Sequence, residues 1–436
     1  MDRRNFLKTA VTATGTAALS TGLPTALGAP GAAPRSAAAT SGTVLTGIQV
    51  LARDDYQVLR GQRVGLISNP TGIVPDLRHE IDVIAASGKV DLVAAFGPEH
   101  GFRGSADAGG SEGSYVDPRT GVPVYDTYGK NATQIAAYYR QAGVETVMFD
   151  IQDVGARFYT YIWTMYDCMV AASQAGVRFV VLDRPNPITG VAALGPVMHP
   201  EYASFVGLKA ISQQHGMTIG ELARLFNGEF LPKDVNANGP VSLSVVKVEG
   251  WRRDMWQEET GQPWVMPSPN MPRVETAVVY PGTCLFEATN LSEGRGTTRP
   301  FELIGAPYID YPWADALQAQ ELPGVEFREA HFVPSVSKHL GVTCTGVQLH
   351  VTDRVQFGAI RTAIAMIITA KRLYPASFAW RESAAPYWID KLTGSDQVRL
   401  AIDSGADVDE VVAGWRRELA AFSRTRKRYL LYPTAA

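Results

Sequence analysis

The chain has few of the features that mark disulfide-stabilised, zinc-binding or membrane-spanning proteins. Its 436 residues include only three cysteines, which are too few for a disulfide framework and lack the spacing of zinc ligands. After residue 41 no run of about 18 apolar residues occurs, so we expect no membrane-spanning segment there. We expect buried free thiols, although an oxidising location would permit one bridge between Cys284 and Cys344.

The chain also has little net charge and lacks the common phosphate-binding loops. A formal net charge of -3 without a basic stripe gives no reason to expect a nucleic-acid partner. No P-loop motif occurs, and Gly294-Arg295-Gly296 begins a dinucleotide fingerprint that Arg299 breaks at the third glycine position. The zinc motif H-E-x-x-H is absent as well. We therefore expect neither a dinucleotide nor a metal, and no other cofactor.

The N-terminus has the pattern of an export signal. Arg3-Arg4 precedes Phe6-Leu7-Lys8 and a mildly apolar stretch over residues 9–27, followed by a spacer rich in alanine, proline and glycine. This pattern predicts a twin-arginine signal peptide and spacer over residues 1–41 and a periplasmic or extracellular protein. No cysteine directly follows the apolar stretch, so no membrane anchor is predicted. The oligomeric state is not indicated.

Short apolar runs alternate with helical patterns in the first half of the remaining chain, which is typical of a parallel α/β sheet. The predicted strands are Arg63 to Ser68, Asp91 to Phe96, Glu145 to Ile151 and Arg178 to Asp183. The predicted helices are Ile81 to Ser87, Thr133 to Ala142, Tyr159 to Ala175 and Thr218 to Phe226, the last with a capping box to Glu221.

The texture of the sequence changes where prolines crowd into residues 263–281, a segment that we predict to contain no regular helix. The later part has one strand pattern, Thr345 to Thr352, and one helix pattern, Gly358 to Leu373. We predict a Rossmann-like, mainly parallel domain over residues 42–266, followed by a smaller α+β C-terminal domain over residues 267–436 that completes a cleft.

Each of the four predicted strands in the first half ends in an unusual polar loop. These loops begin at Ser68, Gly97, Asp150 and Asp183. Because ligands bind at the carboxyl ends of strands in open parallel sheets, we expect the four loops to line one pocket.

Seven strings along the chain together resemble the exo-β-N-acetylmuramidase family. They are GPEHGFRG (97–104), DIQDVGARFYTY (150–161), LDRPNPITG (182–190), HGMTIGEL (215–222), PSPNMP (267–272), YPGTCLFEATNLSEGRGTTRPFE (280–302) and HVTDR (350–354). The resemblance covers almost the whole chain after the leader. It implies a Rossmann-like domain without a dinucleotide, a smaller C-terminal domain, and a glycoside hydrolase that releases non-reducing-terminal N-acetylmuramic acid (MurNAc) from N-acetylglucosamine (GlcNAc) in peptidoglycan fragments.

Glu99 is the candidate general acid, because a strand-end loop can shield a carboxyl from water, and the resemblance points to the same residue. The structural alternative is a loop carboxylate paired with Arg103. Glu287 and Glu293 are candidates for the second carboxylate or for binding sugar hydroxyls. Arg295 is a candidate partner for the lactyl carboxylate of muramic acid, because a guanidinium matches a carboxylate in a bidentate manner.

The remaining candidates for substrate binding are polar or aromatic residues for which a structural role is also open. They are His100, Arg103, Asp150, Asp153, Arg157, Tyr159, Asn186 and Asn270, and Arg184 competes with Arg103 and Arg157 for the lactyl carboxylate. The two aspartates are equally suited to Asx turns, and aromatic residues at the start of a helix commonly belong to a core.

A non-catalytic protein that binds peptidoglycan or muropeptides is the alternative function, and the presence of Glu99 and Glu293 argues against it. The sequence leaves open whether hydrolysis retains or inverts the anomeric configuration or proceeds through the substrate's own 2-acetamido group, because these routes differ in a carboxylate separation that only a structure contains.

Overall fold

The structure, a computed structural model, describes residues 43–107, 109–381 and 387–434. The predicted signal peptide and spacer lie outside these ranges. Within them, no helix has the length and apolar character needed to cross a membrane.

The described residues contain strands and helices in alternation through the first half. The strands are β1 (Arg63–Ser68), β2 (Asp91–Gly97), β3 (Tyr115–Val116), β4 (Pro123–Asp126), β5 (Thr146–Asp150), β6 (Arg178–Leu182), β7 (Leu194–Val197), β8 (Ser212–Gln214), β9 (Leu243–Val246), β10 (Leu303–Ala306), β11 (Val325–Phe332) and β12 (Cys344–Val351). The α-helices are α1 (Gly47–Arg53), α2 (Glu80–Ser87), α3 (Ala132–Ala142), α4 (Tyr161–Ala175), α5 (Ile219–Leu225), α6 (Val274–Thr283), α7 (Tyr311–Gln318), α8 (Ala359–Leu373), α9 (Trp388–Thr393), α10 (Gln397–Asp403), α11 (Val408–Gly414) and α12 (Arg416–Lys427).

The central sheet has seven strands in the order β3-β4-β2-β1-β5-β6-β9. All neighbouring pairs are parallel except β3 and β4 at one edge. Strand β5 is buried along its whole length, as expected for a parallel strand covered on both faces. The register pairs Ser68 at the end of β1 with Asp150 at the end of β5. The carboxyl ends of β2, β1, β5 and β6 therefore meet at one edge of the sheet.

The four predicted strands and the helices between them are confirmed, with bounds that shift by at most two residues. The predicted capping box also forms, because the Thr218 hydroxyl accepts the Glu221 amide at 3.2 Å and the Glu221 carboxylate accepts the Thr218 amide at 3.1 Å. Helix α4 begins at Tyr161 rather than Tyr159.

The prediction of no regular helix across residues 263–281 is wrong at its C-terminal end. Residues 263–272 contain no helix, but α6 runs through Pro281. Proline has no backbone N–H, so Pro281 removes one helical hydrogen bond from α6. The Pro281 carbonyl also accepts the side-chain amide of Gln213 at 2.6 Å, and α6 is buried against α8. Packing therefore outweighs the low helix propensity of proline at this position.

The second half of the chain combines helices with a three-stranded antiparallel sheet in the order β10-β12-β11. The predicted fold class, a mainly parallel α/β sheet followed by a smaller α+β region, is confirmed. The described residues from 43 onward belong to one compact unit, and the largest hydrophobic cluster includes Phe149 of β5 as well as Ile364 of α8. The predicted boundary after residue 266 stays a prediction. Cys168, Cys284 and Cys344 are free and buried, as expected.

Candidate active site

A cavity of about 710 Å³ lies where loops at the carboxyl edge of the sheet meet residues from the second half of the chain. Six predicted site residues line the cavity: Glu99, His100, Tyr159, Asn270, Glu287 and Arg295.

Glu99 lies in a tight turn immediately after β2. The Gly101 amide donates to the Pro98 carbonyl at 3.0 Å, and His100 has a positive φ of 69°, a conformation that few residues other than glycine adopt at low cost. Gly101, with φ of 89°, has no room for a side chain, because an added Cβ would lie 2.2 Å from the Glu112 side chain. The turn therefore fixes where the Glu99 side chain leaves the backbone.

The Glu99 carboxylate is held from two sides and remains half-buried. One oxygen accepts the Gly109 amide at 2.9 Å, and the other accepts the Thr160 hydroxyl at 3.3 Å. Thr160 directly precedes α4, in the loop after β5. The suggested alternative, an ion pair with Arg103, is not formed: Arg103 pairs with Asp82 and Asp117 at 2.8 and 2.9 Å.

The His100 ring is oriented by backbone carbonyls of the same loop. Its Nδ1 lies 3.1 and 3.2 Å from the carbonyls of Ala106 and Asp107. Because carbonyls only accept hydrogen bonds, Nδ1 carries the proton. In a neutral ring Nε2 is then the atom left to accept a hydrogen bond from a ligand.

Glu287 and Arg295 form a charged part of the cavity that comes from the second half of the chain. Glu287 lies on a short 3-10 helix, Cys284–Ala288, that continues α6, and it pairs with Arg295 at 2.6 Å. Arg295 also contacts Glu293 at 3.3 Å, and its guanidinium lies 5.0 Å from the centre of the Phe301 ring. These contacts hold the arginine in place while about a quarter of its side chain remains accessible.

Glu293 does not line the cavity. Its side chain is 3% exposed and forms ion pairs with Arg295 and with Lys338, the latter at 2.9 Å. The Lys338 ammonium also donates to the carbonyls of Phe286 and Leu291 at 2.7 and 2.6 Å. Glu293 and Lys338 thus stabilise the segment from Phe286 to Leu291, which contains Glu287.

Aromatic rings form much of the cavity wall. Tyr280 packs edge-on against Tyr159 and Phe301, with ring centres 5.8 and 4.7 Å apart. Burial raises the pKa of both tyrosines well above the usual value, so both phenols keep their protons. Phe205, which is 64% exposed, leans against Trp388 with ring centres 5.8 Å apart. Faces of this kind suit the apolar faces of a sugar ring.

Sequence reasoning missed several residues that line this cavity. They are Thr160, Phe205, Ser268, Tyr280, Cys284 and Trp388. Thr160, Ser268, Tyr280 and Cys284 lie inside the strings that carry the family resemblance, which was the available signal. Nothing in the sequence near Phe205 or Trp388 indicated a site.

Asp150 is not brought to the cavity because its carboxylate is used inside the protein. It is fully buried and forms an ion pair with Arg184. Glu80 accepts the Ser68 hydroxyl at 2.5 Å in the same cluster. Burial, together with the nearby Asp150 carboxylate, raises the pKa of Glu80 well above its usual value. This cluster lies between the ends of β1, β5 and β6.

Asp153 and Asn186 take the structural roles that were left open for them. The Asp153 carboxylate accepts the Gly155 amide at 2.6 Å and contacts His215. The Asn186 side chain accepts the Ile188 amide at 3.1 Å. Both are local turns of the Asx type, in which the side chain satisfies backbone two residues later.

Arg157 does not line the cavity either, because it is fully buried and its guanidinium donates to backbone carbonyls. It donates to Pro196 at 3.3 Å, to Ile211 at 3.1 Å and to Leu392. Burial lowers the pKa of Arg157 to about 9. Leu392 belongs to α9 and lines the cavity, so Arg157 supports the cavity wall from behind.

The prediction that all four strand-end loops line one pocket is wrong. The loops after β2 and β5 contribute to the cavity, whereas Thr71 and Arg184, from the loops after β1 and β6, line a separate, smaller pocket. The buried cluster of Glu80, Asp150 and Arg184 fills the space between these strand ends. Among the described residues, no group of three or more histidines, cysteines, aspartates or glutamates is placed to hold a metal ion.

The fold and the cavity define an α/β protein whose cleft combines two carboxylates, one arginine and aromatic walls. The N-terminal and C-terminal models of the exo-β-N-acetylmuramidase NamZ family match residues 64–275 and 278–432, and the chain belongs to this family. It is 49% identical over 390 residues to the peptidoglycan β-N-acetylmuramidase NamZ of Bacillus subtilis (strain 168), which covers 89% of this chain and 91% of the relative.

Two crystal structures of DUF1343 family proteins from Bacteroides fragilis NCTC 9343 have the same fold. The first has a TM-score of 0.81 and 34% identity, covering 89% of this chain and 99% of the other. The second has a TM-score of 0.73 and 30% identity, covering 90% of this chain and all of the other.

Proposed function

We propose that the chain is an exo-acting β-N-acetylmuramidase that hydrolyses the terminal non-reducing MurNAc from peptidoglycan fragments such as MurNAc-GlcNAc. Family membership supports the reaction. The observation that carries the assignment of roles is that Glu99 and the Glu287–Arg295 pair line one cavity with aromatic walls.

Glu99 is the general acid of the proposed reaction. In the two-carboxylate mechanism of glycosidases, one carboxyl group protonates the leaving oxygen and a second one acts on the other side of the bond. The Gly109 amide and the Thr160 hydroxyl hold the Glu99 carboxylate in a fixed orientation, which keeps it aligned with that oxygen. Glu287 is the second carboxylate, because it lines the cavity while Glu293 does not.

Arg295 binds the lactyl carboxylate of the substrate. Its Nε and one terminal nitrogen already serve Glu293 and Glu287, but a guanidinium carries five N–H donors. The remaining donors can reach into the cavity, and the two glutamates fix the plane of the group. We therefore expect a sugar with the lactyl group to react faster than the same sugar without it.

The experiment compares MurNAc-GlcNAc, a chromogenic β-MurNAc glycoside and the matching β-GlcNAc glycoside. We expect cleavage of the first two and little of the third. Glu99→Gln should lower kcat on the disaccharide by about 10²–10⁴-fold with little change in KM, and by less on the aryl glycoside, whose leaving group needs less protonation. The matched control is Glu326→Gln, an exposed position on β11. Retention of disaccharide activity by Glu99→Gln would refute the assignment of the acid.

We also propose that the N-terminal segment directs export by the twin-arginine route to the periplasm or the extracellular space. The proposal is supported by Arg3-Arg4 and the apolar stretch that follows. Arg3→Lys combined with Arg4→Lys keeps the charge but removes the arginine pair, so the protein should accumulate in the cytoplasm. Normal export of this double variant in cell fractionation would contradict the route.

A further inference from the structure

Glu99 lies at the border between two cavities. The first is the candidate active site, and the second, of about 1260 Å³, shares Glu99, Thr160 and Phe205 with it. The second cavity runs along α4, and Arg295 and Glu287 line only the first.

The position of a general acid identifies what each cavity holds. The acid gives its proton to the oxygen that joins the terminal sugar to the rest of the substrate, so it has to lie between the two parts. The first cavity contains the second carboxylate and the arginine for the terminal sugar. The cavity on the other side of Glu99 therefore receives the leaving saccharide.

This second cavity continues into a third one of about 650 Å³, because both are lined by Asp167. The residues of α4 and its N-cap that line the two cavities include Thr160, Thr164, Asp167 and Gln174. Their spacing places them along one face of the helix. With a rise of about 1.5 Å per residue, this face is about 21 Å long from Thr160 to Gln174, which is longer than one sugar ring. We refer to the two cavities together as the α4 groove.

The walls of the α4 groove have the chemistry of a carbohydrate site. The half-buried Tyr128 and the exposed Phe205 offer aromatic surface. Lys130 and Asp167 offer one charge of each sign, and within the described part of the chain neither side chain has a hydrogen bond or an ion pair shorter than 4 Å. An unused ammonium at a partly buried surface is suited to the carboxylates that muramic acid carries along a strand, and an unused carboxylate is suited to sugar hydroxyls.

We propose that the α4 groove binds the leaving part of a glycan strand over more than one sugar, with Lys130 and Asp167 as its polar contacts. The inference rests on the proposed function, because it assumes that Glu99 is the acid. It predicts that the enzyme prefers oligosaccharides to the disaccharide, although each turnover removes one terminal residue.

The experiment measures kcat/KM for MurNAc-GlcNAc and for the tetrasaccharide (MurNAc-GlcNAc)₂ under the same conditions. A hydrogen bond to a charged group contributes about 1.5–3 kcal/mol, so the tetrasaccharide should be preferred about tenfold or more. Lys130→Gln and Asp167→Asn should reduce this preference toward unity while changing kcat/KM on the disaccharide less.

Two matched controls keep their side chains outside the groove. Lys247→Gln changes an exposed lysine directly after β9, and Asp315→Asn changes an exposed aspartate of α7; neither residue lines the groove. Both should keep the wild-type preference. Thermal melting of each variant shows whether it is folded, and the Lys130 and Asp167 variants test the groove independently.

The outcomes separate this inference from the proposed function. Absence of cleavage of either saccharide by the wild-type protein would refute the proposed function. Cleavage of both at equal kcat/KM would refute only the groove. An equal loss on both substrates in the Lys130 and Asp167 variants would also overturn it, because a contact beyond the first leaving sugar cannot affect the disaccharide to the same extent.

Discussion

Replacing Glu293 with glutamine tests whether this residue stabilises the site without taking part in the reaction. The glutamate is 3% exposed and lies between two cations, Arg295 and Lys338. Removing one partner of a buried ion pair typically costs about 3–5 kcal/mol, because the remaining charge is left unpaired. Here each cation keeps other partners and is 20–24% exposed. We therefore expect Glu293→Gln to lower the free energy of unfolding by about 2–3 kcal/mol.

Glu287→Gln is the matched substitution, and we expect it to reduce activity more and stability less than Glu293→Gln does. Its side chain is 16% exposed, and Arg295 retains Glu293 after the change, so the stability loss should be about 1 kcal/mol or less. The loss of activity should be the larger of the two, because Glu287 lines the cavity. Urea unfolding followed by tryptophan fluorescence measures stability, and hydrolysis of the disaccharide measures kcat and KM.

A double-mutant cycle with Lys338→Met is the control for the magnitude. Since Glu293 and Lys338 are 2.9 Å apart, their changes in stability should be non-additive by about 0.5–3 kcal/mol. Additive effects would refute the proposed role of Glu293 in holding the segment that carries Glu287. A Glu293→Gln protein that is as stable as the wild type and as inactive as Glu287→Gln would refute it as well.

Two further predictions concern stability away from the charged cluster. Burial raises the pKa of Asp167 to about 6. Below a pH of about 4 the carboxyl is neutral and its burial costs no stability, whereas the free energy of unfolding falls as the pH rises through about 6 and the buried group ionises. Asp167→Asn should therefore unfold with a free energy close to that of the wild type at pH 4 and about 2 kcal/mol higher at pH 7, and an equal difference at both pH values would contradict the shift. Gly282→Ala should cost about 3 kcal/mol, because the added Cβ would lie 1.9 Å from the Ala359 carbonyl oxygen. Its control Gly414→Ala places the methyl group in open space and should not lower the melting temperature.

Local patterns were sufficient to predict the first half of the fold. The apolar runs at Arg63 and Thr146 could only be covered on both faces, and Thr218 with Glu221 specified a helix start. Pro281 shows where local rules fail, because the packing of α6 against α8 outweighs the low helix propensity of proline.

The candidate site could be predicted in part. The family resemblance pointed to Glu99, residue chemistry made Glu287 and Arg295 candidates, and these three residues do line one cavity. Phe205 and Trp388 could not be found, because they approach the cavity from segments with no distinctive pattern of their own. Arg157 had the side chain of a binding residue but donates to three backbone carbonyls instead.

The sequence alone determined the mainly parallel sheet, the carboxylate chemistry and the residue types available for it, since periodicity, capping and motif are properties of neighbouring residues. Only the tertiary structure decided which polar side chains remain free to meet a substrate. Asp150 and Asp153 have the same chemistry as Glu287, yet their oxygens bind Arg184 and a backbone amide inside the protein. Whether a buried carboxylate is used within the protein or faces the cavity depends on partners distant in the chain, and these partners are known only once the chain is folded.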